Sequence, residues 1–374
     1  MATPAGPLVR LWGIPTSQLP SSTATADELA PFLTAILQEA VPFIDSAAPK
    51  SSPAEAQRSK VWKPKGVKSS SDSTAKVEVS ERTVPAAELE AVATPTTKGK
   101  GKLAPEMWAC RRSVHQDAAE RGTASWAEFE HSFRFEHAKS EDAFTPNVLA
   151  THEALVWDCG GVSPFDLGGE TWGEFSLKVE EMRHKVGRPV LKDRTFPVLQ
   201  MVATTQGKQE FVVVSIPVPD FGTESEASRL AREKGAQVAR YVSVELIRKM
   251  ADGKIEWLMA TASDAGGVLP MWVQNKAMPG VVWKDVPLFL RWIAKERGDG
   301  GTRKESGASK GSIVPEVSTG TARDAGNGAT AGASQTATAP EGSGRDVDYW
   351  HGGHAEAVLG DGAKQNGATT TADQ

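Results

Sequence analysis

The chain has 374 residues and a formal charge of −5, room for two or three domains at roughly 100–200 residues each. From residue 298 to the end, 44 of 77 residues are Gly, Ala, Ser or Thr and only 8 are Ile, Leu, Val, Tyr or Trp. That is too little apolar surface to offset chain entropy, so this tail is read as disordered. Residues 103–297 carry 24 basic and 27 acidic side chains, without the basic face of a dedicated nucleic-acid binder.

Two cysteines, Cys110 and Cys159, exclude a disulfide framework. No apolar run reaches the ~18 residues of a membrane span. The N-terminus lacks a basic region followed by an apolar one. A soluble intracellular, cytoplasmic protein is expected, with nuclear import left open.

In chain order, residues 1–45 form an N-terminal segment. Leu29, Phe32, Leu33, Ile36 and Leu37 recur at helical spacing, which predicts an amphipathic helix over about 27–44, with Asp27 as N-cap and Pro42 ending or kinking it. Residues 46–75 are rich in Pro, Ser and Lys and read as a flexible linker, and 85–102 read as a low-complexity insertion. KVEVSERTV (residues 76–84) alternates like a strand, and MWACRRSVH (residues 107–115) is strand-compatible.

Ser125 and Glu128 have capping-box spacing, and Trp126, Phe129, Phe133 and His137 follow on one helical face. Strands are predicted around Phe175–Val179, over 193–205 and 209–218 joined at Gly207, then over 237–250 and 254–263 joined at Asp252–Gly253. Sequential hairpins imply an antiparallel sheet. The last ordered element, 269–297, is interrupted by Pro279 and Pro287 and is predicted as a kinked helix, or a short helix followed by a long one.

A two-residue Asp252–Gly253 loop would pair Leu246 with Met259. One face then carries Arg240, Val242, Val244, Leu246, Met250, Ile255, Trp257, Met259 and Thr261. The other carries Tyr241, Ser243, Glu245, Ile247, Lys249, Glu256, Leu258 and Ala260. The first is more apolar and is taken as inward; a one-residue slip would reverse the assignment. The same logic turns Leu199, Met201, Val212, Val214 and Ile216 inward. The stripe Val282, Val286, Phe289 and Ile293 on the C-terminal helix, helped by the Trp126 helix, is expected to cover this face.

No catalytic constellation is found. GASKG at 307–311 matches G-x-S-x-G but lacks the flanking strand and helix of a nucleophile elbow. HGGH at 351–354 has too few ligands for a metal site, and no cofactor loop is present. Trp257 is the favoured aromatic ligand contact among eleven tryptophans. Arg240 either meets a ligand head group or is a strand-end arginine reaching solvent. YWHGG at 349–353 is a candidate docking motif.

The segment SDAGGVLPMWVQN resembles the end of a START lipid-binding domain. Asp264, Gly266, Gly267, Leu269, Pro270 and Trp272 fit its D-x-G-G turn and the aliphatic-Pro-x-Trp start of its last helix. DVPLFLRWI (residues 285–293) resembles the same helix in phosphatidylcholine-transfer-type members, and KDRTFPVLQ (residues 192–200) the Arg-Asp-aromatic strand, with Thr195 in place of the Asp. GTASWAEF, RTFPV and RYVSVE, with the turn segment, resemble a START-like family of unknown function best known from fungi.

The resemblance spans roughly 103–297. It implies an α+β helix-grip fold: a curved antiparallel sheet wrapped around a long kinked C-terminal helix, over a domain at 76–297. The implied activity is non-catalytic binding, transfer or sensing of a lipid or sterol in an internal apolar cavity, with transient membrane contact and no nucleic acid. Expected cavity residues are Leu199, Met201, Val212, Val214, Arg240, Val242, Val244, Leu246, Trp257, Met259, Thr261, Val282, Val286 and Phe289; Arg240 and Thr261 supply polarity. Asp264, Gly266, Gly267, Pro270 and Trp272 form a lid or turn motif. The alternatives are a cyclase- or hydrolase-type enzyme of the same fold, which needs Asp, Glu, His or Tyr inside the cavity, and a scaffold or co-chaperone with a vestigial cavity.

Overall fold

The computed structural model describes residues 6–48, 61–94, 102–185, 192–266 and 270–299. Gly267, Leu269 and the motifs at 307–311, 349–353 and 351–354 lie outside them. In chain order the elements are α1 (Ala26–Asp45), β1 (Lys63–Lys68), β2 (Val77–Val84), α2 (Ala86–Val92), β3 (Glu106–His115), α3 (Trp126–Phe129), a π-helical turn (Glu130–Phe135) and α4 (His137–Phe144). Then come β4 (Val148–Trp157), β5 (Phe165–Leu167), β6 (Glu170–His184), β7 (Arg194–Thr205), β8 (Glu210–Pro217), α5 (Phe221–Glu224), β9 (Gln237–Val238), β10 (Arg240–Lys249) and β11 (Ile255–Asp264). The chain closes with α6 (Met271–Ala277), two 3-10 turns (Met278–Gly280 and Val282–Lys284) and α7 (Asp285–Asp299).

The strands form one sheet in the order β1-β2-β3-β11-β10-β8-β7-β6-β4, with β5 beside β6 and β9 beside β7. All pairs along this path are antiparallel. The C-terminal helix breaks where Pro279 enters the 3-10 turn, then resumes as α7. The structure thus has the expected α+β layout, an antiparallel sheet with the kinked C-terminal helix packed on one face.

Local sequence accounts for the helix starts. The Ser125–Glu128 capping box closes as expected. In α1 the cap is Thr25, boxed with Glu28, rather than Asp27, and the helix continues through Pro42 to Asp45. The stretch read as a linker contains β1, fully exposed along its length. The low-complexity insertion contains α2, whose Leu89 is buried.

The hairpin register differs from expectation by one residue. Gly253 N–H donates to Met250 O (2.9 Å) and Met250 N–H to Lys254 O (2.7 Å), and Gly253 has φ +81°. This is a three-residue loop, a type I turn ending in a left-handed glycine. A two-residue I′ turn needs positive φ at Asp252 as well, and among the described non-glycine residues only Glu174 has positive φ. Leu246 therefore pairs with Leu258 and Glu245 with Met259.

The slip divides the residues expected on one inward face. Leu199, Met201, Val212, Val214, Val242, Val244 and Leu246 lie on an outer face with Leu258 and Ala260, packed with Leu29, Leu33, Ile36 and Ile44 of α1. Trp257 faces the other way, with Ile247, Phe211, Val286 and Phe289, and Met259 packs with Met278 and Val282. The C-terminal helix thus covers the face carrying Tyr241, Ser243 and Glu245, opposite to the expected one. The N-terminal segment covers the other.

That segment is tied down at its ends. Glu39 accepts from Leu8 N–H and Val9 N–H at 3.0 and 2.8 Å, and Ile14 N–H donates to Pro217 O at 2.9 Å. A Cβ at Gly13, where φ is +76°, would lie 2.0 Å from Pro217 O. Gly13→Ala is expected to cost more than about 1 kcal/mol in a thermal melt; an unchanged melting temperature would show that the strap does not hold the sheet.

Candidate functional site

On the helix face one row of cross-strand partners is polar over five adjacent strands. Thr261 pairs with Ser243, Ser243 with Ser215, Ser215 with Gln200 and Gln200 with Lys178. Ser215 and Gln200 are buried. Thr261, Ser243 and the neighbouring Tyr241 are only half-buried, although β10 and β11 lie in the interior of the sheet. A central-strand residue under a helix keeps accessible surface only where helix and sheet part, so Tyr241, Ser243 and Thr261 line a groove there, with Ser215 and Gln200 buried beside it. Tyr241 shares a hydrogen bond with Ser215, and burial pushes its phenol pKa up.

The next row toward the hairpin is ionic. Arg111 pairs across β11 with Met259, and Met259 pairs with Glu245. Arg111 Nη2 lies 3.2 Å from Glu245 Oε1, and its Nε 3.2 Å from Asp285 Oδ2 at the start of α7. Its guanidinium stacks 4.0 Å from the Trp257 ring, and Trp257 Nε1–H donates to Glu245 at 2.7 Å. His137 Nε2 is 3.2 Å from Glu245 Oε2, and Gln200 Nε2 is 3.3 Å from His137 Nδ1. Burial alone would raise the Glu245 pKa; His137, Arg111 and Trp257 outweigh it and hold the carboxyl below its ordinary range.

Past this row the groove is filled. Phe133 lies 4.7 Å from Trp257 and 4.8 Å from Phe289, and Phe129 lies 5.2 Å from Phe289. All four rings are buried.

The residues singled out in the sequence fall as follows. Arg240 is at the strand end, with Nη2 2.7 Å from Asp264 Oδ2; it is the strand-end arginine, paired within the protein. Thr261 Oγ1–H donates to Val242 O at 3.1 Å and lines the groove. Trp257 is 0 % exposed, enclosed by aromatic rings. Val286 and Phe289 fill the same cluster, and Val282 packs beside Met278. Asp264 Oδ1 accepts from Gly266 N–H at 2.9 Å, where φ is +62°. Pro270 caps α6, and Trp272 is 70 % exposed.

The sequence pattern does not single out Arg111, Gln200 or Ser215, and it turns Tyr241, Ser243 and Glu245 outward, whereas all six lie on the helix face. One signal was available: β3 carries adjacent arginines, Arg111 and Arg112, so one of them points to each face. Among the described residues no group of three or more His, Cys, Asp or Glu gathers as a metal site, and no helix is long and apolar enough to cross a membrane.

No curated protein matches the sequence. Among solved structures, the chain is similar to human STARD10 (14% identity, 65% of this chain and 76% of that one, TM-score 0.40). It is similar to human StAR-related lipid transfer protein 5 (10%, 74% and 98%, 0.41). A third likeness is the lipid transfer and protein localization domain of human StarD13 (DLC2) (14%, 62% and 87%, 0.36). Residues 108–293 match the model of one family, described as "Protein of unknown function (DUF3074)".

Proposed function

We propose that the domain binds a lipid or another hydrophobic molecule in the groove between the helix face of the sheet and the C-terminal helix. The observation that carries this reading is the partial exposure of Tyr241, Ser243 and Thr261 in central strands roofed by a helix. A concave site with a few placed polar groups is the usual form of a small-molecule pocket. The printed names of two similar structures, a lipid transfer protein and a lipid transfer domain, support the same class of ligand. Exposed Met271 and Trp272 at the start of α6 give the groove an apolar lip suited to transient membrane contact.

Native mass spectrometry of the full chain tests this. A stoichiometric small-molecule adduct, lost on denaturation, is expected. A bare protein mass after incubation with lipid vesicles would overturn it.

An enzyme of the same fold is the second reading. It draws support from His137, Glu245 and Tyr241, which lie on the helix face rather than outside. Recovery of the bound molecule chemically unchanged would favour binding, and recovery of a product would favour turnover.

A further inference from the structure

The two edges of the sheet are built differently. At one, β1 is exposed along its length and carries Lys63, Pro64, Lys65 and Lys68, the residue types with which proteins block strand pairing. At the other stands β4, and among the described residues no strand pairs with its outer side. The segment 148–156, VLATHEALV, has Glu153 as its one acid and no Lys or Arg. Leu149 is 44 % exposed and Val156 60 %. A long apolar edge strand of this kind is a template for main-chain pairing with another chain.

The segment also reads the same in both directions, save that Thr151 and Glu153 change places. A second copy laid antiparallel about His152 therefore sets Val148 against Val156, Leu149 against Leu155, Ala150 against Ala154 and Thr151 against Glu153. The faces agree as well. Val148, Thr151, Glu153 and Val156 pair with His184, Met182, Glu180 and Lys178 of β6, alternate residues of one strand, so all four share a face. A two-fold axis normal to the sheet keeps that face common to both copies. The ladder between β4 and β6 is irregular at Val148–Ala150 and at Glu153–Leu155. Such bulges bend an edge and hinder a flat partner, but the same axis sets each against the other, so the two copies bend alike.

Other registers fare worse. Sliding one copy by two residues in one direction sets Glu153 on Glu153, a like-charge pair. Sliding it the other way sets Leu149 on Glu153, an apolar side chain against a carboxylate.

We propose that β4 is a self-pairing edge: two copies of the chain associate antiparallel about His152 and join their sheets into one. This does not depend on what the groove binds. The strand alone offers fewer residues than the about 20–30 per side of a standard interface, so the dimer is a weak one, in the micromolar range.

Sedimentation velocity of the full chain over about 1–500 µM, a range that brackets such a Kd, tests this. A monomer–dimer equilibrium is expected. Thr151→Lys places an opposite charge against Glu153 twice per dimer and should tighten it about tenfold. Thr151→Glu places a like charge there and should loosen it about as much. A tighter, discrete dimer is not a result that misfolding produces. Val148→Cys and Val156→Cys chains, mixed and oxidised, should cross-link to each other in preference to themselves; the native Cys110 and Cys159 are buried. A monomer at every concentration would overturn the proposal. A dimer indifferent to both Thr151 variants, or cross-links chiefly between identical cysteine chains, would overturn the pairing about His152.

Discussion

Replacing Arg111 by methionine is expected to cost about 3–5 kcal/mol of folding stability, the usual consequence of removing one partner of a buried ion pair. The guanidinium is 1 % exposed and stands between Glu245 and Asp285. Without it two carboxylates remain in the interior, with the Trp257 and His137 donors on Glu245 as partial compensation. A urea titration followed by tryptophan fluorescence measures the loss, and a change below about 1 kcal/mol would show that these charges are not held apart from water.

The pH dependence has a definite sign. Glu245 has a folded pKa held below its ordinary value, so its contribution is present above the unfolded carboxyl pKa near about 4.3 and is lost as pH falls through the folded pKa. Arg111→Met removes part of that depression. The gap between variant and parent should therefore be widest at neutral pH and narrow in acid. Adding Glu245→Gln and Asp285→Asn to Arg111→Met should recover part of the loss, since an uncharged interior avoids the desolvation penalty.

Helix starts and strand positions were legible because they depend on neighbours. The Ser125–Glu128 box and the Gly207 turn form within a few residues of chain, and the break at Pro279 follows from a missing amide and a ring. Register was less legible. Asp252–Gly253 marks the turn correctly, but one added loop residue changes which side chains share a face. Identifying the covered face needed more than alternation. Alternation separates a buried face from a solvated one, and here both faces of β10 are buried, one under α1 and one under α7. Ser243 and Glu245 look like surface residues in sequence. Their setting comes from Arg111, which is 134 residues from Glu245 in the chain, and from Asp285, 174 residues from Arg111. No local pattern encodes such a pairing, so the polar row that lines the groove was read as the outside of the sheet.

The second large effect is expected at Glu181, on the outer face of β6. Its carboxylate is fully buried and accepts from Ser228 Oγ–H (2.6 Å) and from the backbone N–H groups of Arg229, Leu230 and Ala231 (2.8, 2.8 and 2.9 Å). His152 Nδ1 lies 2.9 Å away on the remaining side. Burial alone would raise its pKa, but these donors outweigh it and hold the carboxyl below its usual range. Glu181→Leu leaves three backbone donors without an acceptor. At about 1–3 kcal/mol for each buried unsatisfied group, less where water can enter, the loss should reach at least about 2–4 kcal/mol. Hydrogen exchange followed by mass spectrometry should show the amides at 229–231 opening first, and protection equal to the parent would sink the idea. Because the folded pKa is lowered, this stabilisation is complete above the unfolded carboxyl pKa and fades as pH falls through the folded one, so in the parent the same amides should lose protection in acid. The consequence reaches the groove. The chain from this clamped loop runs directly into β9 and β10, where Tyr241 stands at the open end. A carboxylate on the outer face thereby fixes where the ligand-facing strand begins, and ligand retention at neutral pH should weaken in Glu181→Leu although Glu181 itself faces away from the groove.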